Sequence, residues 1–297
     1  METNLQELVI ISGKGGTGKT SVTASFAALA AGRAVLADCD VDAADLHLIL
    51  APRIIGSTDF RSGHEAVIRH EACTGCGRCA ELCRFGAIRL LKRPIGAKIQ
   101  YTVDPVACEG CGVCARFCPA GAVAFPERLC GEWMVSETRC GPMVHACLAV
   151  AAENSGKLVS LVRREARRIA EEKRLPLIVT DGPPGIGCSV IASVTGADRV
   201  LTVTEPTVSG EHDLGRVLQL AKHFGVTTFV CVNKWDLNPG MTERIERSAE
   251  RAGATVAGRI RYDRAVTAAQ IQAKAVVEMD APSAEDIRNV WEKLELE

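Results

Sequence analysis

Aromatic residues are scarce in this sequence, and it has neither a long apolar run nor an excess of charge. Phe, Trp and Tyr make up only 4% of the 297 residues, so the core must be assembled mainly from Ala, Val, Ile and Leu. No window approaches the roughly 18 apolar residues of a membrane span. The formal net charge is −1, which leaves no surplus of positive charge to hold nucleic acid or an anionic membrane. Neither is expected as a partner. The start, Met1-Glu2-Thr3-Asn4, lacks the basic opening of a secretory signal. Residues 283–297 have helical spacing but finish Glu295-Leu296-Glu297, a poor amphipathic anchor. A cytoplasmic location is expected.

Against these scarcities stand fourteen cysteines. With 47% hydrophobic and 24% charged residues, the chain has the balance of a soluble globular protein of one or two domains. In a reducing compartment, so many cysteines argue for metal or redox chemistry rather than disulfides. Eight of them fall in two runs, Cys73, Cys76, Cys79, Cys83 and Cys108, Cys111, Cys114, Cys118, both with x2, x2, x3 spacing. The surrounding segments, residues 73–90 and 108–125, align without gaps and match at nine of eighteen positions, every cysteine included. A structural zinc site calls instead for C-x2-C pairs well separated in sequence.

Three cysteines at this spacing can wrap one face of an iron–sulfur cubane, and the fourth then points at a second cluster. The expected sets are Cys73, Cys76, Cys79 and Cys118 for one 4Fe–4S cluster, and Cys108, Cys111, Cys114 and Cys83 for the other. Gly75, Gly77, Gly110 and Gly112 permit the backbone angles such loops need. Over roughly sixty residues this module resembles the eight-iron bacterial ferredoxins. It departs from them at Arg84, where they carry Pro after the fourth cysteine.

The remainder alternates between strand and helix. Strand 8–12, helix 20–31 and strand 34–38 form a βαβ opening. Helix 157–173, strand 177–180, strand 200–204, a helix near 212–224, strand 228–233, helix 239–252 and strand 255–260 complete the pattern. The expected fold is an α/β P-loop NTPase with a mostly parallel sheet flanked by helices, interrupted by a small ferredoxin-like α+β insert. Residues 1–62 and 127–297 are assigned to the first and residues 63–126 to the second.

Residues 13–20, G-K-G-G-T-G-K-T, follow a strand and open a helix, the context of a phosphate-binding loop. Backbone amides of Gly13, Lys14, Gly15, Gly16, Thr17 and Gly18 can converge on phosphate oxygens. Lys19 is expected at the β- and γ-phosphates, and the Thr20 hydroxyl at Mg²⁺. Asp38, Asp40 and Asp42 follow the second strand. Asp40 is assigned to the attacking water, and Asp38 or Asp42 to support of Mg²⁺. Asp181 ends an apolar strand and opens D-G-P-P-G-I-G-C, a position for holding Mg²⁺ through water. Asn233, Lys234 and Asp236 form an N-K-x-D string suited to reading a purine base. That string alone suggests guanine; ATP is nevertheless favoured, with GTP left open, on the resemblance described next, whose members bind ATP with a comparable loop.

The extra lysine of K-G-G-T-G-K-T resembles the deviant Walker A motif of the MinD/ParA superfamily. Together with the insert, the chain resembles MinD-like ATPases that contain a ferredoxin domain, and residues 141–159 are similar to theirs as well. The resemblance implies that Lys14 reaches across a dimer, homomeric or formed with a paralogue, to the partner's nucleotide. It also implies that Cys188, seven residues after Asp181, can ligate an interface cluster as the switch II cysteine of the nitrogenase iron protein does. Cys140 and Cys147 are either its partners or helix-packing residues. Cys39, Cys130 and Cys231 are read as structural, and His64, His70 and His145 as surface or capping groups.

The leading expectation is an ATPase whose nucleotide-driven dimer switching is coupled to electron transfer toward a redox partner protein. The alternatives are an iron–sulfur or metallocofactor assembly ATPase, and a redox-sensing positioning ATPase.

Overall fold

The computed structural model describes residues 5–91, 98–149, 152 and 154–296. The chain opens with β1 (Gln6–Ser12), α1 (Lys19–Leu29), β2 (Ala34–Asp38), α2 (Leu46–Leu50) and β3 (Arg53–His64). Short elements follow: β4 (Val67–Ile68), α3 (Arg78–Leu82), β5 (Ile88–Leu90), β6 (Tyr101–Val103), α4 (Val113–Arg116) and β7 (Val123–Ala124). Next come β8 (Glu127–Thr138), β9 (Gly141–Leu148), α5 (Ser155–Lys173), β10 (Leu177–Pro184), α6 (Cys188–Val194), β11 (Arg199–Thr204) and α7 (Val208–His223). The chain closes with β12 (Thr227–Asn233), α8 (Pro239–Arg251), β13 (Thr255–Ile260), α9 (Arg264–Ile271) and α10 (Pro282–Lys293).

Two compact units result. One comprises residues up to Thr58, Glu132–Leu148 and Ser155 onward; the other comprises Asp59–Gly131 and Ala149–Asn154. The main sheet has the strand order β13-β12-β11-β1-β10-β2-β9-β8-β3. Every recorded pairing from β13 through β9 is parallel. Both faces of such a sheet are covered, so its strands are apolar on both sides rather than alternating. β1 illustrates this. Leu8 and Ile10 join one cluster with Phe26, Leu36 and Met143, whereas Val9 and Ile11 join another with Val190, Val200 and Val217. With few aromatics available, only Phe26 among them is large, and it tilts against Trp291 at 5.0 Å.

Several boundaries differ from the sequence reading. α7 begins at Val208, four residues before His212, because Thr207 caps it by accepting from the Gly210 amide. β10 continues through Asp181 to Pro184. Segment 141–148 is a strand, so Cys147 lies in β9 and Cys140 in the turn just before it, and neither is part of a helix. His145 is no surface group: it is buried in β9, with Nε2 2.9 Å from Ser136 Oγ.

The second unit has a small core. Its buried cluster contains Ala66, Ile68, Ile88, Ala122 and Val123 together with Cys73, Cys79 and Cys114. A unit this small gains little from apolar burial alone and ordinarily needs cross-links or metal.

Candidate nucleotide and iron–sulfur sites

Parallel pairing brings the acidic residues together. Asp181 on β10 lies opposite Ile10 of β1 on one side and opposite Asp38 of β2 on the other. All three strands end at the same edge, where open α/β sheets bind their ligands. The loop between β1 and α1 rises from that edge. At Gly18, the N-cap of α1, φ is +92°, and an added Cβ would sit 2.3 Å from Asn233 Nδ2, so only glycine fits.

Lys19 and Asp181 form the centre. The Lys19 ammonium donates to Asp181 Oδ1 at 2.7 Å and lies 3.5 Å from Asp40 Oδ2. Thr23 also donates to Asp181 Oδ1, at 2.8 Å, and Thr20 donates to Oδ2 at 2.9 Å. Burial works to lower the Lys19 pKa, but the charges of Asp181 and Asp40 outweigh it and raise the pKa above the usual value. Asp38 is fully buried; its oxygens accept from the Asp40 and Leu46 amides. Burial first, and the Asp181 charge second, push its pKa well up. Burial likewise raises that of Asp40. Asp42 is exposed. Thr20 and Asp181 thus meet directly, next to a loop whose Thr17 hydroxyl is buried without a protein partner.

The N-K-x-D string meets the loop after β1. Asn233 donates to the Thr17 carbonyl at 2.7 Å, and Lys234 donates to the Gly16 carbonyl at 3.0 Å. Both brace the phosphate loop. Asp236 is exposed, and one of its oxygens accepts the Tyr262 amide at 2.7 Å. Lys14 is held by Glu205 at 2.7 Å and donates to Ser209 at 2.9 Å. Glu205, Thr207, Ser209 and Thr23 were not singled out from sequence. Thr23 lies one turn after Lys19 on α1, whereas Glu205, Thr207 and Ser209 follow no motif and reach Lys14 only through the fold.

In the second unit the eight run cysteines separate into two cavities. Cys73, Cys76, Cys79 and Cys118 line one, with Ile68, Tyr101 and Val123. Cys83, Cys108, Cys111 and Cys114 line the other, with Ile88, Phe85 and Phe125. In each, three cysteines come from one run and the fourth from its partner run. Partial burial raises the pKa of the Cys79 and Cys114 thiols. At Cys118 burial works the same way, but the amides of the segment that follows, Ala122 foremost, prevail and lower the thiol pKa. Among the described residues, no group of three or more His, Cys, Asp or Glu side chains is arranged to hold a metal ion. Cys188 is exposed at the start of α6. Also among the described residues, no helix is long and apolar enough to cross a membrane.

The sheet and the loop after β1 define a P-loop nucleotide-binding protein. The model of the CobQ/CobB/MinD/ParA nucleotide binding domain matches residues 8–276, and the chain belongs to that family. Uncharacterized protein MJ0578 of Methanocaldococcus jannaschii is 34% identical over 239 residues, 79% of this chain and 80% of that protein. Uncharacterized protein MJ0579 of the same organism is 25% identical over 243 residues, covering 79% and 83%. Among solved structures, the Pyrococcus furiosus cell division ATPase MinD aligns with a TM-score of 0.58 at 17% identity, covering 98% of both chains. The Pyrococcus horikoshii septum site-determining protein MinD, complexed with Mg-ADP, aligns at 0.57 with 15% identity, covering 98% of this chain and 96% of that one. At those identities the likeness concerns the fold.

Proposed function

We propose that this protein binds and hydrolyses ATP, and that nucleotide-driven dimer switching is coupled to electron transfer through two 4Fe–4S clusters. The carrying observation is that one chain combines a phosphate loop centred on Lys19, Thr20 and Asp181 with two cavities lined by four cysteines each. The division into cavities matches the crossed ligand sets of two-cluster ferredoxins.

In the nucleotide site, amides of residues 13–18 and the start of α1 attract the phosphates. Lys19 offsets the charge that develops on the transferred group, while Thr20 and Asp181 hold Mg²⁺. Asp40, 3.5 Å from Lys19 and partly open to solvent, takes the proton of the attacking water. Lys14 of one copy serves the nucleotide of a second copy, and Asn233 and Lys234 brace the loop in each. In the second unit, Cys73, Cys76, Cys79 and Cys118 hold one cluster, and Cys108, Cys111, Cys114 and Cys83 the other. When bound, each cluster supplies one-electron chemistry at a potential set by its charge, hydrogen bonds and exposure. The recipient is a redox or metallocofactor protein in the cytoplasm.

The test is anaerobic purification with iron and acid-labile sulfide analysis, an ATPase assay, and EPR of the reduced protein with and without Mg·ATP. The expected result is iron and sulfide for two clusters, with signals that change on adding nucleotide. Iron-free anaerobic protein would sink the redox half. Turnover unchanged in Lys19→Ala would sink the hydrolytic half.

A further inference from the structure

β11 runs between β1 and β12, in parallel register with both, and Thr204 at its end lies opposite Val232. The residue after it, Glu205, therefore emerges between the phosphate loop and the loop that follows Asn233. Its side chain is 17% exposed and each oxygen takes a different lysine: Oε1 is 2.7 Å from Lys14 Nζ and Oε2 is 3.1 Å from Lys234 Nζ. Partial burial works to raise the pKa of this carboxyl, but hydrogen bonds from Lys14 and Lys234 prevail and hold it below the ordinary range.

Neither lysine is committed to Glu205 alone. Lys14 donates to Ser209 at 2.9 Å and to Thr207 at 3.3 Å, both at the start of α7. Lys234 donates to the Gly16 carbonyl, and its backbone has φ +56°, an uncommon conformation for a residue with a side chain. The Asn233 side chain accepts the Lys234 amide at 2.9 Å and so secures that conformation. Lys234 is fixed in place, whereas Lys14 sits on the open glycine loop, with nothing within 4 Å of an added Cβ at Gly15 or Gly16.

We infer that Glu205 is a positioning residue that competes with nucleotide phosphate for Lys14, with Lys234 setting how strongly it competes. This rests on the reading that Lys14 serves the nucleotide of a second copy. A carboxylate pairing with Lys14 inside its own chain keeps that ammonium from a partner's phosphates, so the pair must open before the dimer closes. Lys234 shares the Glu205 charge and weakens its hold on Lys14. Glu205 thereby sets the nucleotide concentration at which dimers form.

The test is sedimentation velocity of the full chain, titrated with AMPPNP and Mg²⁺. The isosteric, uncharged Glu205→Gln should reach half-maximal dimer at about fivefold lower nucleotide, the scale of a partly exposed ion pair. Lys234→Met leaves Glu205 entirely to Lys14, so its midpoint should move the opposite way. Because Lys234 also braces the Gly16 carbonyl, the diagnostic arm is Glu205→Gln: a merely structural role for Glu205 would not lower the midpoint. An unchanged or raised midpoint in Glu205→Gln overturns the inference, as does a shift of both variants in the same direction. If wild-type protein stays monomeric at saturating nucleotide, the dimer reading itself fails, and that arm is read independently of the variants.

Discussion

Replacing Asp181 by Asn separates what this carboxylate does for stability from what it does for chemistry. Asp181 is fully buried and accepts from Lys19, Thr20 and Thr23 within 2.9 Å. Asn keeps the shape and one acceptor but removes the charge, leaving the Lys19 ammonium with Asp40 at 3.5 Å as its nearest carboxylate. Breaking a buried ion pair costs about 3–5 kcal/mol. An opposing effect reduces that. The Asp181 charge is the second cause, after burial, of the raised Asp38 pKa, and removing it relieves Asp38. The expected net loss is about 2–3 kcal/mol, or roughly 5–10 °C in melting temperature for a domain of this size. On the proposed reading turnover should fall further, by at least about 10²-fold, because the group that would position Mg²⁺ against the phosphates is gone. Thermal melting by circular dichroism and a phosphate-release assay measure the two quantities. Asp181→Asn protein that melts well below wild type yet retains turnover within threefold would refute the catalytic placement of Asp181.

Acid should destabilise the first unit through His145. Burial, with a smaller contribution from the neighbouring His47, lowers its pKa from 6.5 to about 4. The unfolded chain therefore takes up this proton first as pH falls. The contribution of His145 is intact above 6.5 and is lost down to about 4, worth about 3 kcal/mol in all. Urea midpoints of His145→Gln should fall less steeply over that window than those of wild type, and parallel curves would count against the assignment. Gly110→Ala should lose about half of the bound iron, because an added Cβ at φ +61° would stand 2.4 Å from the His64 carbonyl oxygen. Full iron content by elemental analysis would contradict it. If the second unit holds two clusters as proposed, Cys118→Ser should remove the EPR signal of the one assigned to Cys73, Cys76 and Cys79, and Cys83→Ser that of the other. If each variant instead lost the cluster of its own run, the crossed ligation would be wrong.

Much of the first unit was legible because its determinants are local. The βαβ opening needs only an apolar strand, a glycine-rich turn and a helix, and β2 and β13 fall at their expected limits. β3 was illegible for a physical reason. Seven of its first residues, from Arg53 to Asp59, are exposed on both faces, so no alternating apolar pattern marks the strand. The cysteine runs carried their spacing openly. The bracing of the phosphate loop by Asn233 and Lys234 was hidden, because a motif gives residue types but not the carbonyls they meet across more than 200 positions. Glu205 was hidden more deeply, since its importance lies in two lysines brought to it by neighbouring strands.

The geometry of the second unit also bears on which metal its cysteines suit. A structural zinc draws four sulfurs to about 2.3 Å from one point, so the side chains must converge on it. Here no described group of three or more ligating side chains is arranged around a single ion. The sulfurs instead surround two cavities whose remaining walls include Ile68 and Val123 in one and Ile88 and Phe125 in the other. Each cavity has four thiols in its wall. Zinc substitution offers the sharpest discrimination. On the proposed two-cluster reading, protein refolded anaerobically with Zn²⁺ alone should fall short of the chemical stability reached with iron and sulfide, because the two cysteine sets would be spaced for a cubane rather than for four bonds of about 2.3 Å to one ion. Equal resistance to urea in the two preparations would favour zinc and remove the redox function.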